Sequence, residues 1–277
     1  MNGLTAKQRV AAAYSLAADG YDGPAMGFWQ RFGNQLVDLS EPKPGDRVLD
    51  LCCGSGASAL AAARKVGPTG RVLGIDISEN LLALARSKAT RDALNWTDFE
   101  LADAEHLAVP EQAFDVGQCA FGVFFFEDMT APIRTLLRAV RPGGSIVVAI
   151  WGEGFWEPQN TVFDERIRRH RPDLYKGFQA WYRISTAADL AVLLTTAGAT
   201  NVTVHTEHAV HLVSGVEGWW QVMWGSGYRG TLSQLTPTEL TAVHEEHMQE
   251  IQPLVDGDGR LALAVPVHFG VAQVPDR

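Results

Sequence analysis

The stretch RVLDLCCGSGASA, residues 47–59, decides the fold. It begins as a short apolar run typical of a buried strand, turns at Gly54 and Gly56, and continues as a helix that ends at Gly67. Gly54, Gly56 and Ala59 fit the pattern G-x-G-x-x-G/A, in which a tight turn leads into a helix N-terminus. The stretch therefore predicts a strand–turn–helix unit with a ligand site at the turn.

Further apolar runs alternate with helical segments after this unit. They are RVLGIDIS (71–78), TDFELADAE (97–105), FDVGQCAFG (114–122) and SIVVAIW (145–151), and Ser78 is placed to cap the helix ENLLALARSKA. This alternation is typical of a parallel sheet with crossover helices. The helix TAADLAVLLTTAG and the strand patterns NVTVHTEHAVHLV and LALAVPVHFGVAQV follow later. We predict an α/β fold with a Rossmann-like, doubly wound, mostly parallel sheet of seven strands.

Composition and charge limit the partners. Of the 277 residues, 46% are hydrophobic and 20% charged, as expected for a globular chain of one large or two small domains. The net charge of −9 argues against binding to nucleic acid or anionic membranes. No apolar run approaches the roughly 18 residues of a membrane span. Three cysteines without a paired spacing predict a reducing, cytoplasmic location and no metal site.

Two aspartates indicate the ligand at the glycine turn. Asp76 ends the second strand, where a carboxylate is placed to hold ribose hydroxyls. Asp50 ends the first strand, four residues before Gly54. A carboxylate there would repel a pyrophosphate but attract an ammonium and a sulfonium, directly or through water. The pattern therefore favours S-adenosylmethionine over a nicotinamide dinucleotide.

Several short motifs in order resemble those of class I S-adenosylmethionine-dependent methyltransferases. They are DLCCGSG (50–56), GID (74–76), ADA (102–104), FDV (114–116) and RPGG (141–144). The resemblance covers about residues 45–150 and is closest to the small-molecule branch typified by ubiquinone and menaquinone biosynthesis. It implies methyl transfer from S-adenosylmethionine, with S-adenosylhomocysteine as product, and a sheet with an antiparallel strand near one edge.

The same resemblance assigns residues to the cofactor. It implies that the 50–56 turn faces the methionyl part, that Asp76 binds both ribose hydroxyls and that Asp103 with the Ala104 amide binds adenine. Asp103 would serve a local turn equally well. The expected cofactor-binding residues are Asp50, Cys52, Gly54, Ser55, Gly56, Asp76, Ile77, Asp103, Ala104, Cys119, Ala120 and Tyr21. Cys52 stands where glycine is usual in these enzymes.

The regions around the motifs are expected to shape the rest of a single domain, residues 1–277. Residues 1–44 are predicted to form a helical lid and 45–151 the cofactor-binding core. Residues 152–185 and 213–258 are predicted to be cap insertions, and 186–212 and 259–277 to complete the sheet with a helix and strands.

Aromatic side chains are the main indication of the methyl acceptor. Many related enzymes carry histidines just after the fourth strand, but this chain has Phe124 and Phe125 there, which suggests a small apolar or aromatic acceptor. Trp220, Trp224 and Tyr228 form a second aromatic cluster and are further acceptor candidates. No catalytic residue is identified; His205, His208, Tyr21 and Glu127 are candidates. Tyr14 and Tyr21 fit either a lid over the cofactor or the core.

The predicted function is methyl transfer to a small-molecule acceptor in secondary metabolism or quinone-like biosynthesis, by a monomer or homodimer. The alternatives are a cyclase or isomerase on the same fold, a non-catalytic binding protein, and a nicotinamide-dependent oxidoreductase.

Overall fold

The computed structural model describes residues 4–175, 177 and 179–276. The strands are β1 Arg47–Leu51, β2 Arg71–Asp76, β3 Thr97–Leu101, β4 Phe114–Ala120, β5 Val140–Trp151, β6 Thr200–Ser214 and β7 Arg260–Gln273. The helices are α1 Ala6–Tyr21, α2 Phe28–Ser40, α3 Ala57–Val66, α4 Glu79–Arg91, α5 Thr130–Ala139, α6 Gln159–His170, α7 Ala187–Ala197, α8 Gly215–Trp224, α9 Arg229–Leu232 and α10 Pro237–Ile251. Short 3-10 helices lie at Pro24–Met26, Val123–Phe125, Ala180–Arg183 and Gln252–Leu254.

One seven-stranded sheet has the order β3-β2-β1-β4-β5-β7-β6. The first five of these strands pair in parallel, and β7 is antiparallel to both β5 and β6. The predicted fold class is therefore confirmed, including the antiparallel strand near one edge. Strand order reverses between β1 and β4, and in open α/β sheets ligands bind at the carboxyl ends of the strands flanking such a reversal.

Local sequence signals explain several element boundaries. The hydroxyl of Ser78 accepts a hydrogen bond from the Leu81 amide at the start of α4, as predicted. Thr5 and Gln8 form a reciprocal capping box at the start of α1. The RPGG motif lies inside β5, because Val140 already pairs with Phe114 and the register shifts before Ser145 pairs with Val116.

Helix α2 packs directly against the start of α3. A Cβ atom at Gly33 would lie 2.8 Å from the Ala57 carbonyl carbon and 2.9 Å from the Ser58 nitrogen, so only glycine permits this approach. The N-terminal segment thereby supports the glycine turn from outside the sheet. None of the helices in the described ranges has the length and apolar character of a bilayer span.

Candidate active site

A cavity of about 1070 Å³, counting its part open to solvent, lies at the carboxyl ends of β1, β2 and β4. Helix α1 contributes Lys7, Tyr14 and Tyr21 to its wall. Of the expected cofactor-binding residues, those on its wall are Tyr21, Cys52, Gly54, Ser55, Asp76, Ile77, Asp103, Ala104 and Ala120. The structure thus brings together motifs that are up to a hundred residues apart in the sequence.

Asp76 is held rigidly at the rim of the glycine turn. Its Oδ2 accepts a hydrogen bond from the Gly54 amide at 2.8 Å, and its Oδ1 accepts one from the Ser78 amide at 2.9 Å. Burial raises the pKa of this carboxyl group, while the amide hydrogen bonds act in the opposite direction. Each oxygen retains a lone pair for a hydroxyl donor, which fits the two hydroxyls of a ribose.

Cys52 explains why glycine is usual at its position. Its φ of 58° is in the left-handed region, which glycine adopts without the steric cost borne by other residues. The following residues, Gly54 and Gly56, also have positive φ, at 54° and 85°. Left-handed residues at three alternate positions of the turn curve the backbone around the cavity. Cys52 lines that cavity, while Cys53 is buried behind it.

Asp103 faces the cavity and is paired with the N-terminal helix. Its carboxylate accepts a hydrogen bond from Lys7 Nζ at 2.6 Å and one from the Glu105 amide at 3.0 Å, and Lys7 also pairs with the Glu105 carboxylate. Desolvation opposes ionisation of Asp103, but Lys7 and the local hydrogen bonds hold its pKa below its usual value. The residue therefore serves a local turn and is also accessible to a ligand.

Further polar contacts fasten α1 over the cavity. The hydroxyls of Ser15 and Ser78 are 2.8 Å apart, and Asn80 donates a hydrogen bond to the Ser15 carbonyl oxygen. At the end of the helix, Asp22 accepts a hydrogen bond from Ser55 and pairs with Lys88, both at 2.7 Å. Contacts at both ends of α1 show that it covers the cavity.

Tyr14 and Tyr21 belong to α1, and both contribute to the cavity wall. Their rings meet edge to face with centroids 6.1 Å apart. Desolvation raises the pKa of both phenols well above the ordinary value. Both groups are therefore neutral at physiological pH and are hydrogen-bond donors rather than bases. This argues against Tyr21 as a catalytic base.

Three of the expected cofactor residues lie behind the cavity wall: Asp50, Gly56 and Cys119. Asp50 is fully buried, and its Oδ2 accepts a hydrogen bond from the Ser58 hydroxyl at 2.6 Å. Desolvation raises its pKa to about 7. Asp50 thus braces the start of α3 from behind the cavity wall and does not line the cavity.

A second, much smaller cavity adjoins the first; it measures about 310 Å³ counting its part open to solvent, and we call it the aromatic chamber. Its wall consists of Tyr14, Trp29, Phe121, Phe124, Trp151, Phe155, Trp156, Trp181, Ser226 and Gly227. Tyr14, Trp29 and Phe121 line both cavities and so form the junction between them. Stacked rings build the wall, with centroids 3.9 Å apart for Phe121 and Trp151 and 4.0 Å for Trp151 and Phe155.

Two of the five predicted acceptor residues line these cavities, and the other three line neither. Phe125 lines the larger cavity and Phe124 the aromatic chamber. Trp220, Trp224 and Tyr228 line neither: Trp220 packs on His244, Trp224 lies under the Arg229 guanidinium, and the Tyr228 ring is buried against Phe163. Packing within the cap accounts for all three, so the structure does not place them at the acceptor.

The other catalytic candidates also lie away from the cavities. His205 and His208 are exposed on β6, which is an edge strand of the sheet. The Glu127 side chain is exposed, and its backbone carbonyl accepts a hydrogen bond from Arg183. No histidine, aspartate or glutamate lines the aromatic chamber among the residues that the structure describes.

Sequence reasoning missed most of the chamber wall, in particular Trp29, Trp151, Phe155, Trp156 and Trp181. A signal existed in the segment WGEGFWEP, which places Trp151 at the carboxyl end of β5 and Phe155 and Trp156 shortly after it. That end of the strand lies on the ligand side of the sheet, so those residues were candidates by position.

The fold and the cavity define a class I S-adenosylmethionine-dependent methyltransferase. Residues 7–165, more than half of the chain, match the model of the ubiE/COQ5 methyltransferase family. The chain therefore belongs to the ubiE/COQ5 methyltransferase family, and S-adenosylmethionine is its cofactor. The geometry of Asp76 and the volume of the cavity fit that cofactor.

Individual relatives agree with this assignment. Aklanonic acid methyltransferase DauC of Streptomyces sp. (strain C5) is 32% identical over 196 residues, covering 66% of this chain and 88% of DauC. The ubiquinone/menaquinone biosynthesis C-methyltransferase UbiE of Pseudomonas putida is 37% identical over 157 residues, covering 56% of this chain and 59% of UbiE.

Solved structures support the fold alone, because their sequences are distant. The cyclase SpnF superposes with a TM-score of 0.63 at 18% identity, covering 99% of this chain and 98% of SpnF. Phosphoethanolamine N-methyltransferase 2 of Haemonchus contortus, in complex with S-adenosylmethionine, gives a TM-score of 0.62 at 16% identity over 99% of this chain and 61% of that one.

Proposed function

We propose that this enzyme methylates a small, flat, largely apolar acceptor of the quinone type, bound in the aromatic chamber. The observation that carries the proposal is the chamber, whose wall is almost entirely aromatic and which joins the cofactor cavity. Apolar pockets with few polar groups are typical of sites for such molecules. The names of the relatives, which refer to aklanonic acid and to ubiquinone and menaquinone biosynthesis, point to the same kind of acceptor.

The chamber supports alignment of the reactants rather than proton transfer by the protein. S-adenosylmethionine supplies an electrophilic methyl group on its sulfonium, which the acceptor atom attacks in line. Tyr14, Trp29 and Phe121 surround the junction where that transfer would take place and exclude water from it. Because none of the described residues of the chamber wall is a histidine, aspartate or glutamate, we propose an acceptor atom that ionises by itself near neutral pH, releasing its proton to solvent.

The two predicted cap regions contribute to this site. Residues 152–185 supply Phe155, Trp156 and Trp181, and residues 213–258 supply Ser226 and Gly227. We therefore propose that they are acceptor caps on a single domain, with residues 1–44 as the lid. We also propose a cytoplasmic enzyme of secondary metabolism or quinone-like biosynthesis, monomeric or homodimeric, with no nucleic-acid partner.

Filling the chamber tests the acceptor site. A Cβ atom at Gly227 would lie 3.4 Å from the Tyr14 hydroxyl, an ordinary contact, so a larger side chain there extends toward the junction. We expect Gly227→Leu to lower S-adenosylhomocysteine release from a panel of hydroxylated naphthoquinones and anthraquinones at least tenfold. Its affinity for S-adenosylhomocysteine should remain within about twofold of wild type, which calorimetry measures.

Gly257→Leu is the matched control, because a Cβ atom at Gly257 meets no atom within 4 Å. It should keep wild-type turnover. Equal turnover by the Gly227→Leu and wild-type enzymes would remove the acceptor from the chamber. Conversion of an aromatic substrate without release of S-adenosylhomocysteine would instead identify a cyclase or isomerase.

A further inference from the structure

Three indole nitrogens of the chamber wall are buried, those of Trp29, Trp156 and Trp181. The Trp181 nitrogen has the Tyr182 hydroxyl as a hydrogen-bonding neighbour, whereas those of Trp29 and Trp156 donate to no residue that the structure describes. Both rings line the chamber. A buried donor without a partner destabilises the fold, so such groups in a native protein call for an explanation. An acceptor atom of a ligand in the chamber would satisfy them.

Trp156 is also held in an unfavourable backbone conformation. Its φ of 56° is in the left-handed region, which is uncommon and unfavourable for a bulky residue. Its amide donates to the Ala264 carbonyl oxygen at 2.8 Å, and its own carbonyl accepts from the Asn160 amide at 2.9 Å. The ring is 2% exposed and stacks on Phe155 with centroids 4.2 Å apart. The surrounding structure thus fixes this ring in the chamber wall.

Trp29 lies nearer to the cofactor. Its ring lines both cavities and stacks on Tyr21, with centroids 5.3 Å apart and planes at 11°. It also contacts Phe121 and Trp151, with centroids 5.7 Å and 5.6 Å away. The Trp29 ring therefore lies at the junction, and the Trp156 ring lies beyond it in the chamber wall.

We propose that the indole N–H groups of Trp29 and Trp156 are the specificity-determining donors of the acceptor site, and that each binds a carbonyl or oxyanion oxygen on the acceptor ring. This inference rests on the proposed function. It explains how an apolar chamber selects an oxygenated ring over a hydrocarbon of the same shape: the wrong ligand leaves both donors unpaired. Bonds at two places along the chamber also set the angle at which the ring faces the junction.

A matched pair of ligands isolates the donors. Duroquinone and durene share one methylated ring and differ in two carbonyl oxygens, and full substitution of the duroquinone ring prevents thiol addition. Their affinities are measured by equilibrium dialysis with saturating S-adenosylhomocysteine. We expect wild type to prefer duroquinone, and Trp29→Phe and Trp156→Phe each to reduce that preference about tenfold, because each variant removes one hydrogen bond that only duroquinone can accept.

The ratio of the two affinities separates recognition from packing, because the space left by phenylalanine weakens both ligands alike. Trp96→Phe is the control: its indole nitrogen donates to the Ala63 carbonyl oxygen at 2.7 Å and lies outside both cavities. It should leave the ratio unchanged. A ratio near one in wild type, or an unchanged ratio in both chamber variants, overturns the donor proposal while the aromatic acceptor site stands. Failure of wild type to bind either ligand overturns the acceptor site itself, and the donor proposal with it.

Discussion

Replacing Asp76 by asparagine should weaken S-adenosylhomocysteine binding about tenfold to a hundredfold. The carboxylate accepts one amide hydrogen bond on each oxygen, from Gly54 at 2.8 Å and from Ser78 at 2.9 Å, and offers its remaining lone pairs to the ribose. Asparagine replaces one oxygen with a donor and removes the charge. A hydrogen bond to a charged group contributes about 1.5–3 kcal/mol, and 1.4 kcal/mol corresponds to a factor of ten.

Calorimetry measures this loss, and a second ligand shows its origin. An analogue of S-adenosylhomocysteine that lacks both ribose hydroxyls should bind the wild type less tightly than the parent compound. If Asp76 binds the ribose, the Asp76→Asn variant will distinguish the two ligands much less, because the effects of the two changes overlap. Asp98→Asn, at an exposed position on the neighbouring strand β3, is the control for an acid-to-amide change.

The reasoning would be refuted if Asp76→Asn and removal of the ribose hydroxyls each weakened binding in full and their effects added. Asp76 would then act only by ordering the glycine turn, and its carboxylate would not contact the ribose. An unchanged affinity would refute both roles.

Two further outcomes follow from packing and burial. Gly33→Ala should lower the free energy of unfolding by about 1–3 kcal/mol in urea titration and weaken S-adenosylhomocysteine binding, because the added methyl group would lie within 3.0 Å of the α3 backbone. Gly257→Ala is the control. A Gly33→Ala stability equal to wild type would show that α2 shifts freely. His247 should make the fold acid-sensitive: burial lowers its pKa from 6.5 to about 3, and its Nε2 accepts a hydrogen bond from the Trp219 indole. The unfolded chain therefore binds a proton that the folded chain does not, so stability present above pH 6.5 is lost as the pH falls toward 3, by about 2 kcal/mol at pH 5. Urea titrations between pH 3 and 6.5 should show a weaker dependence of the free energy of unfolding on pH for His247→Gln, and an unchanged dependence for His205→Gln at an exposed position. An unchanged dependence for His247→Gln would contradict the assignment to His247.

The cofactor half of the site was predictable because its physics is local. The glycine turn, Asp76 at the end of β2 and Ser78 as a helix cap each depend on a few neighbouring residues. Parallel strands then bring their carboxyl ends to one edge of the sheet, so a correct strand pattern already places Asp103 near Asp76.

The acceptor half was not predictable in the same way. The cluster of Trp220, Trp224 and Tyr228 suggested a pocket, but Trp220 packs on His244 and Tyr228 packs on Phe163. Helical spacing shows which residues share a face and not what that face meets. The aromatic residues that do form the chamber, Trp29 among them, are separated in sequence and meet only through tertiary packing.

The sequence by itself determined the Rossmann-like sheet, the cofactor and the turn that holds it, because short-range patterns encode strands, turns and caps. Only the tertiary structure decided that Asp50 lies behind the cavity wall, that Lys7 reaches Asp103, and that Trp29 and Trp156 line one chamber. These relations join segments far apart in the chain, where contact depends on the packing of whole elements and leaves no periodic trace in the sequence.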